Sequence, residues 1–150
     1  MKKLNSSIVL FISFIIVLCS FAGCRNKTAA RGTFGINELQ EKMKAKNYSF
    51  EIKDTAREEF IDAPRKVMII NKDILSIYLF ESNKEMEKHS KYIDNTGSTF
   101  TNDNKITKVD YAYPPHLYKK GNIIVLYAGN NTKIINDLKD IFGGQFAGGN

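Results

Sequence analysis

The sequence predicts an α+β fold, in which an antiparallel sheet of about five strands has helices packed on one face, in the order α-β-β-β-α-β-β-α. Two observations support this prediction. Short apolar segments are separated by turn residues, as around Asn71 and Gly121, which is typical of hairpins between neighbouring antiparallel strands. Three other segments space their apolar residues at intervals of three and four, which is the period of an amphipathic helix.

Each predicted helix begins with a residue whose side chain can accept a hydrogen bond from the first free backbone N–H groups. Where Glu or Gln follows three residues later, the pattern is a capping box. The predicted helices are Asn37–Lys46, capped by Asn37 with Gln40; a helix from Ser82, with Glu85, to about Ile93; and a helix that begins after Asn130 or Asn131 and ends at Gly143.

The predicted strands alternate apolar and polar residues or form short apolar runs. Residues 54–64 are ambiguous, residues 95–105 are predicted as a polar loop, and the glycine-rich residues after 143 as a loose tail. Proline cannot donate a hydrogen bond to a sheet, so Pro114-Pro115 is predicted to end a strand. The predicted strands are Tyr48–Lys53, Val67–Ile70, Ile74–Phe80, Ile106–Tyr113, and the hairpin segments Leu117–Tyr118 and Ile123–Tyr127.

The amino terminus has the order of a bacterial export signal. Lys2 and Lys3 precede an apolar run, and Ala22 and Gly23 stand directly before Cys24, as in a lipoprotein cleavage box. The sequence therefore predicts a signal peptide over 1–23, lipidation of Cys24, a flexible tether over 24–35 and one α+β domain over 36–150. The mature protein is expected on the extracytoplasmic face of the cell membrane, held by its acyl chains.

Two other interpretations of this segment stay open. The apolar run is shorter than the roughly 20 residues of a transmembrane helix, so a permanent anchor helix is disfavoured. Ser20-Phe21-Ala22 also fits the pattern that a general signal peptidase cuts, which would release the domain without lipid. Cys24, with small residues before it, favours the lipoprotein interpretation.

Composition excludes several kinds of chemistry from the predicted domain. No cysteine follows Cys24, so the domain has neither an internal disulfide nor a thiolate ligand. His89 and His116 lack partners at metal-ligand spacing, and no catalytic triad or nucleotide-binding motif occurs, so neither a metal nor a cofactor is predicted. Without Lys2 and Lys3 the net charge of +6 becomes +4, and these charges are scattered, so nucleic acid is not an expected partner.

One part of the chain resembles a known family. The segment YPPHLYKKGNIIVLYAG (Tyr113–Gly129), a short amphipathic helix and then FGGQFAG (Phe142–Gly148) look like the C-terminal signature of a family of small, uncharacterised bacterial lipoproteins. Leu117 stands where that signature is expected to carry Phe. The resemblance implies a lipoprotein with a single domain, and it implies no activity.

The same region holds the candidate binding surface. Prolines restrict the backbone beside several aromatic and basic side chains, and such a rigid turn can present a recognition surface. The alternative is that the prolines only position the next strand and that His116 binds a backbone carbonyl. The candidate residues are Tyr111, Tyr113, His116, Tyr118, Lys119 and Lys120.

These observations predict a membrane-anchored binding module whose partner is an envelope protein, a peptide or a wall polymer. Two alternatives belong to other classes. One is an envelope enzyme with His116 as general base, which would need a carboxylate behind the imidazole in a concave pocket. The other is an inhibitor that inserts the turn Lys119–Asn122 into a secreted enzyme.

Overall fold

The computed structural model describes residues 33–102 and 105–149, so the predicted signal peptide, Cys24 and most of the predicted tether lie outside the described residues. Within them the helices are α1 (Ile36–Ala45), α2 (Asn83–Ser90) and α3 (Thr132–Phe142). The strands are β1 (Glu51–Thr55), β2 (Arg65–Ile70), β3 (Asp73–Leu79), β4 (Thr99–Asn102), β5 (Lys105–Lys108), β6 (Pro115–Lys120), β7 (Ile123–Ala128) and β8 (Ala147–Gly148).

Six strands form one antiparallel sheet in the order β1-β2-β3-β7-β6-β8, and β4 and β5 form a separate hairpin. The α+β class and the antiparallel sheet are thus confirmed, whereas the strand count of about five and the predicted order match only roughly. The hairpins β2–β3 and β6–β7 form at the predicted turns, where Asn71 and Gly121 have positive φ values of 54° and 62°. Glycine, and to a lesser degree asparagine, tolerates this backbone region.

Helices pack on both faces of the sheet, so the prediction that they cover one face is wrong. Along β3, Ile77 belongs to the core beneath α1 and α3, and its neighbour Tyr78 belongs to the core beneath α2 and β4. Successive side chains of a strand point to opposite faces, so both faces of β3 are buried. The same holds for β7, whose residues Ile123–Tyr127 are all buried. An unbroken apolar run of this kind is typical of a strand covered on two sides.

The first two helix starts differ in how well the sequence predicts them. Helix α1 begins after Gly35, not after Asn37, and the Gly35 N–H donates a 3.0 Å hydrogen bond to the Glu38 carboxylate. The acceptor is thus an acidic side chain in the first turn, where it also offsets the helix dipole. Helix α2 begins as predicted, since the Ser82 hydroxyl accepts a hydrogen bond from the Glu85 N–H.

Helix α3 follows its prediction at both ends. The Asn131 side chain accepts hydrogen bonds from the N–H groups of Lys133 and Ile134. Gly143 ends the helix with φ of 94°, and its N–H donates to the Lys139 carbonyl. Asn131 rather than Asn130 is therefore the cap.

Two predictions in the middle of the chain are wrong. The loop predicted over 95–105 contains β4, and the strand predicted over Ile106–Tyr113 ends at Lys108. Strands β4 and β5 are mostly polar, and of the residues in these two strands Phe100 alone is fully buried. A hairpin that covers a core with one aromatic side chain shows little hydrophobic alternation, which is the signal that sequence analysis relies on.

The predicted loose tail also has a defined structure. Ala147 and Gly148 form an edge strand beside β6, and the Gly149 N–H donates a 2.9 Å hydrogen bond to the Pro115 carbonyl. Pro115 begins β6 instead of preceding it, a position where a missing N–H is tolerated. Gly148 has φ of 83°, and a Cβ there would lie 1.8 Å from the Pro115 carbonyl oxygen.

The end of the predicted tether contacts the domain. The Phe34 carbonyl accepts a 3.0 Å hydrogen bond from the Asn122 N–H, and the Phe34 ring packs edge-on against Phe142. The packed region therefore includes at least two residues before α1. Among the residues that the structure describes, no helix is both long and apolar enough to cross a membrane.

Candidate functional site

The six residues of the predicted binding surface do not form one surface. Side chains of β6 alternate between the two faces of the sheet, so Tyr118 and Lys120 point towards α1 and α3, whereas Lys119 points towards α2. Tyr111 and Tyr113 lie before the strand, in the segment that leads into it.

Both lysines of the β6–β7 hairpin bind groups of the protein itself. Lys119 Nζ lies 2.6 Å from the Glu87 carboxylate and 2.9 Å from the Ser90 hydroxyl, which ties β6 to α2. Lys120 Nζ donates a 2.8 Å hydrogen bond to the Ile141 carbonyl in the last turn of α3. A cation at this position satisfies a terminal carbonyl and offsets the helix dipole. Both lysines thus stabilise the fold.

Two of the tyrosines are also directed inward. Tyr118 is 1% exposed, and its hydroxyl donates to the Ile135 carbonyl at 3.3 Å. The Tyr111 hydroxyl is buried and has no hydrogen-bond partner among the described residues. Burial, together with the negative charge of Glu58, raises the pKa of Tyr111 above its ordinary value, because both disfavour the tyrosinate anion.

Tyr113 and Lys120 are the exposed candidates, and Tyr113 is the one of the two that offers a large apolar surface to solvent. Its side chain is 48% exposed and lies between two grooves, one of about 370 Å³ beside Tyr111 and Ser98, and one of about 300 Å³ beside Ile74. Ile74 is 55% exposed, so the second groove carries two large exposed apolar side chains. We call it the Tyr113 groove; its lining includes Lys72, Asp73, Ile74, Tyr113, Tyr127 and Asn130.

A partly buried hydrogen-bond network supports the floor of the Tyr113 groove. The Tyr127 hydroxyl donates to Asp73 Oδ1 at 2.7 Å and accepts from the Asn131 N–H at 3.1 Å. The Asn131 side-chain amide donates to the second carboxylate oxygen of Asp73. Burial, and the hydrogen bond to Asp73, raise the pKa of Tyr127 to about 12. Gly129 makes room for this arrangement, because a Cβ there would lie 2.3 Å from Tyr127 Cζ.

His116 lines a different groove, of about 390 Å³, which does not include Tyr127 in its lining. Its ring stacks on that of Tyr127 at a centroid distance of 6.3 Å, and its Nδ1 lies 3.0 Å from Gln145 Oε1. We call this the His116 groove; its lining includes His116, Tyr118, Asn136, Lys139, Gly144 and Gln145. None of the described residues that line it is acidic.

Two observations describe the polar chemistry available in these grooves. Within residues 33–102 and 105–149, no group of three histidine, cysteine or acidic residues could hold a metal ion. The polar partner of His116 is an amide, and an amide does not stabilise an imidazolium as a carboxylate does.

Sequence analysis missed several residues of both grooves. Ile74 and Tyr127 look like ordinary strand residues, and Gln145 lies in the predicted tail. Asn136 and Lys139 share one face of α3 at i and i+3, a spacing that indicates a common polar face. That face could have been predicted, but its position beside His116 depends on the packing of α3 on the sheet.

Comparison of the chain with protein-family models, with curated proteins and with solved structures gave no match. The resemblance of Tyr113–Gly148 to small bacterial lipoproteins therefore stays a prediction.

Proposed function

We propose that this protein is a lipid-anchored binding module on the extracytoplasmic face of the cell membrane, and that the Tyr113 groove binds a protein or peptide partner. The observation that carries the proposal is the pairing of Tyr113 and Ile74, both about half exposed, in one groove. Exposed aromatic and apolar side chains around a concave surface are typical of recognition sites, where their burial contributes to affinity.

The charge of the groove favours a partner with an acidic group near an apolar side chain. Both carboxylate oxygens of Asp73 accept hydrogen bonds from Tyr127 and Asn131. Lys72, by contrast, is exposed and forms no ion pair within the part of the chain that the structure describes. A cation beside exposed apolar side chains guides an anionic partner and adds specificity.

The position of the groove agrees with an anchor at Cys24. Among the described residues, Phe34 is the one nearest to Cys24 that packs on the domain, and it contacts the turn before Ile123. The Tyr113 groove lies beside Ala128, at the other end of β7. Five steps along a strand span about 17 Å. The groove therefore lies at the end of the sheet away from the point where the lipid-bearing segment joins.

The two alternative functions have less support. An enzyme with His116 as general base would use a carboxylate partner for the imidazole, whereas His116 Nδ1 is hydrogen-bonded to the side-chain amide of Gln145. An inhibitor that inserts the turn between β6 and β7 would need that turn exposed. The Phe34 carbonyl and the Asn83 amide bind Asn122 and Gly121 of this turn.

The anchor is tested by Cys24→Ser in the native host. We expect the substituted protein to leave the detergent phase for the medium, or to accumulate as uncut precursor, because it lacks the thiol that accepts the diacylglyceryl group. If native and substituted proteins partition alike, the lipid anchor is wrong.

The binding surface is tested by placing a photo-crosslinking amino acid at position 113 in living cells. A matched control carries it at Ile106, which is 67% exposed and lies outside the groove. We expect a defined crosslinked product from position 113 that Lys72→Glu weakens, and none of that size from position 106. Equal products from the two positions, or none from position 113, would contradict the proposed surface.

A further inference from the structure

We infer that the His116 groove is a second site, which binds a phosphate group on a hydroxylated carrier. This site does not depend on the Tyr113 groove or on its partner. Polar groups from three separate elements meet in it: His116 from β6, Asn136 and Lys139 from α3, and Gln145 from the chain before β8. With a volume of about 390 Å³, the groove falls in the size range of small-molecule sites.

The charge distribution on α3 gives this groove its preference for anions. The acidic side chains Asp137 and Asp140 point towards α1, where both bind Lys46 Nζ at 2.8 and 3.0 Å. Lys139 lines the His116 groove and forms no ion pair within residues 33–102 and 105–149. One helix thus presents its carboxylates to α1 and an ammonium group to the groove.

The number of N–H donors in the groove favours a phosphate group over a simple carboxylate as the ligand. The Lys139 ammonium group has three N–H donors, and the Asn136 amide has two. A phosphate group brings three or more acceptor oxygens to such a set, whereas a carboxylate brings two. Lysine is a common phosphate ligand in proteins, where it acts as a point charge.

The hydrogen bond between His116 and Gln145 selects the hydroxylated carrier. Gln145 Nε2 donates to the Gly148 carbonyl at 2.5 Å, so Oε1 is the Gln145 atom that faces His116 Nδ1. Because a carbonyl oxygen can only accept, Nδ1 carries the proton in this arrangement. With the proton on Nδ1, Nε2 is the ring nitrogen whose lone pair can accept a hydrogen bond, and a hydroxyl group beside the phosphate can donate it.

Gly144 keeps the groove open. A Cβ at this position would have no heavy atom within 4 Å, and its φ is not in the left-handed region, so packing does not require glycine there. A larger side chain at 144 therefore has room beside the residues that line the groove. Gly144→Leu is thus a blocking variant that leaves the core unchanged.

The proposal is tested by nuclear magnetic resonance titration of the full chain in a nonionic detergent. The three probes are inorganic phosphate, glycerol phosphate and short-chain phosphatidylglycerol. We expect saturable shifts at the amides of Asn136, Lys139 and Gln145, with both glycerol-containing probes bound more tightly than inorganic phosphate. Tighter binding of glycerol phosphate would indicate a soluble phosphate polymer as the natural source, and tighter binding of phosphatidylglycerol would indicate a lipid headgroup.

The variants separate specific binding from general attraction to lysines. Lys139→Gln should weaken binding of glycerol phosphate about tenfold, because a charge-assisted hydrogen bond is lost. Gly144→Leu should also weaken it, whereas Lys108→Gln, at an exposed lysine of β5, should bind like the native protein. The proposal is wrong if no probe gives saturable shifts, if inorganic phosphate binds as tightly as the glycerol probes, or if Lys139→Gln binds like the native protein.

Discussion

The Tyr127 hydroxyl donates a 2.7 Å hydrogen bond to the Asp73 carboxylate, and this bond joins the end of β7 to the start of β3. The same hydroxyl accepts from the N–H of Asn131, the residue that caps α3. One buried phenol thus connects two strands and a helix beneath the Tyr113 groove. It also stacks on His116, which lines the other groove.

Removal of this hydroxyl should destabilise the protein. In Tyr127→Phe, the Asn131 N–H and one oxygen of Asp73 lose their shared partner, which should cost about 1–3 kcal/mol. The measurement is the free energy of unfolding in urea at neutral pH. Tyr113→Phe is the matched control, since its hydroxyl lies on a half-exposed side chain, and a change within about 0.5 kcal/mol is expected. Equal stabilities of the two variants would contradict the role given to Tyr127.

Alkaline pH should weaken the contribution that the Tyr127 hydroxyl makes to the stability of the folded protein. The pKa of Tyr127 is raised to about 12 in the folded protein by burial and by Asp73, against about 10 in an unfolded chain. The neutral phenol is therefore favoured by folding, so its contribution is complete below about pH 10 and decreases as the pH rises towards 12. The stability difference between the native protein and Tyr127→Phe should be smaller at about pH 11 than at about pH 8. A difference that stays constant or grows with pH would contradict this assignment.

A polar network on the outside of the molecule joins α1 to α3. Asp137 accepts hydrogen bonds of 2.8 Å from Lys46, 2.7 Å from Tyr48 and 2.8 Å from Lys133. Burial acts to raise the pKa of Asp137, but these hydrogen bonds outweigh it and hold the pKa well below its usual range. Solvent screens part of the ion-pair energy of Asp137, whereas the energy of its hydrogen bonds is not screened in this way.

Asp137→Asn should therefore cost about 1–3 kcal/mol of unfolding free energy at neutral pH. The matched control is Asp140→Asn, which also removes a contact to Lys46 but at a side chain that is 69% exposed, so a change within about 0.5 kcal/mol is expected. Because the folded pKa of Asp137 is lowered, its contribution is complete above about pH 5 and is lost as the pH falls below about 4. The measurement is the free energy of unfolding of the native protein and of Asp137→Asn as the pH is lowered. A difference between the two that stays the same at all pH values would count against the network.

Gly148→Ala should detach the edge strand β8. The residue has φ of 83°, and an added Cβ would meet the Pro115 carbonyl oxygen at 1.8 Å. We expect a loss of more than about 1 kcal/mol, with faster hydrogen exchange at the N–H groups of Phe146 and Gly149, which donate to β6. Gly144→Ala is the control, since its Cβ would meet open space. Unchanged exchange at Phe146 and Gly149 in Gly148→Ala would show that β8 does not depend on this glycine.

Local sequence signals predict those elements whose own residues determine them. Asn71 and Gly121 direct the chain into tight turns, Ser82 and Asn131 cap their helices, and Gly143 ends α3. In each case the decisive contact lies within four residues, so the sequence alone contains the information.

Elements that depend on distant partners were predicted less well. Strand β8 exists because Gly148 and Gly149 bond to Asn95 and Pro115, which are far away in the chain. The polar hairpin β4–β5 places one aromatic residue, Phe100, in a core formed by other elements. Neither β8 nor β4 has a strong hydrophobic pattern of its own, so periodicity did not reveal them, and β5 was predicted only as the start of a longer strand.

The sequence by itself determined the α+β class, the main hairpins and the caps of α2 and α3, because these depend on backbone preferences and hydrogen bonds between near neighbours. Only the tertiary structure decided which candidate side chains face solvent. The alternation of β6 and the packing of helices on both faces direct Tyr118, Lys119 and Lys120 into internal contacts. The same packing leaves Tyr113 exposed beside Ile74 and brings Lys139 to His116, because contacts between distant segments follow from sheet order and helix docking.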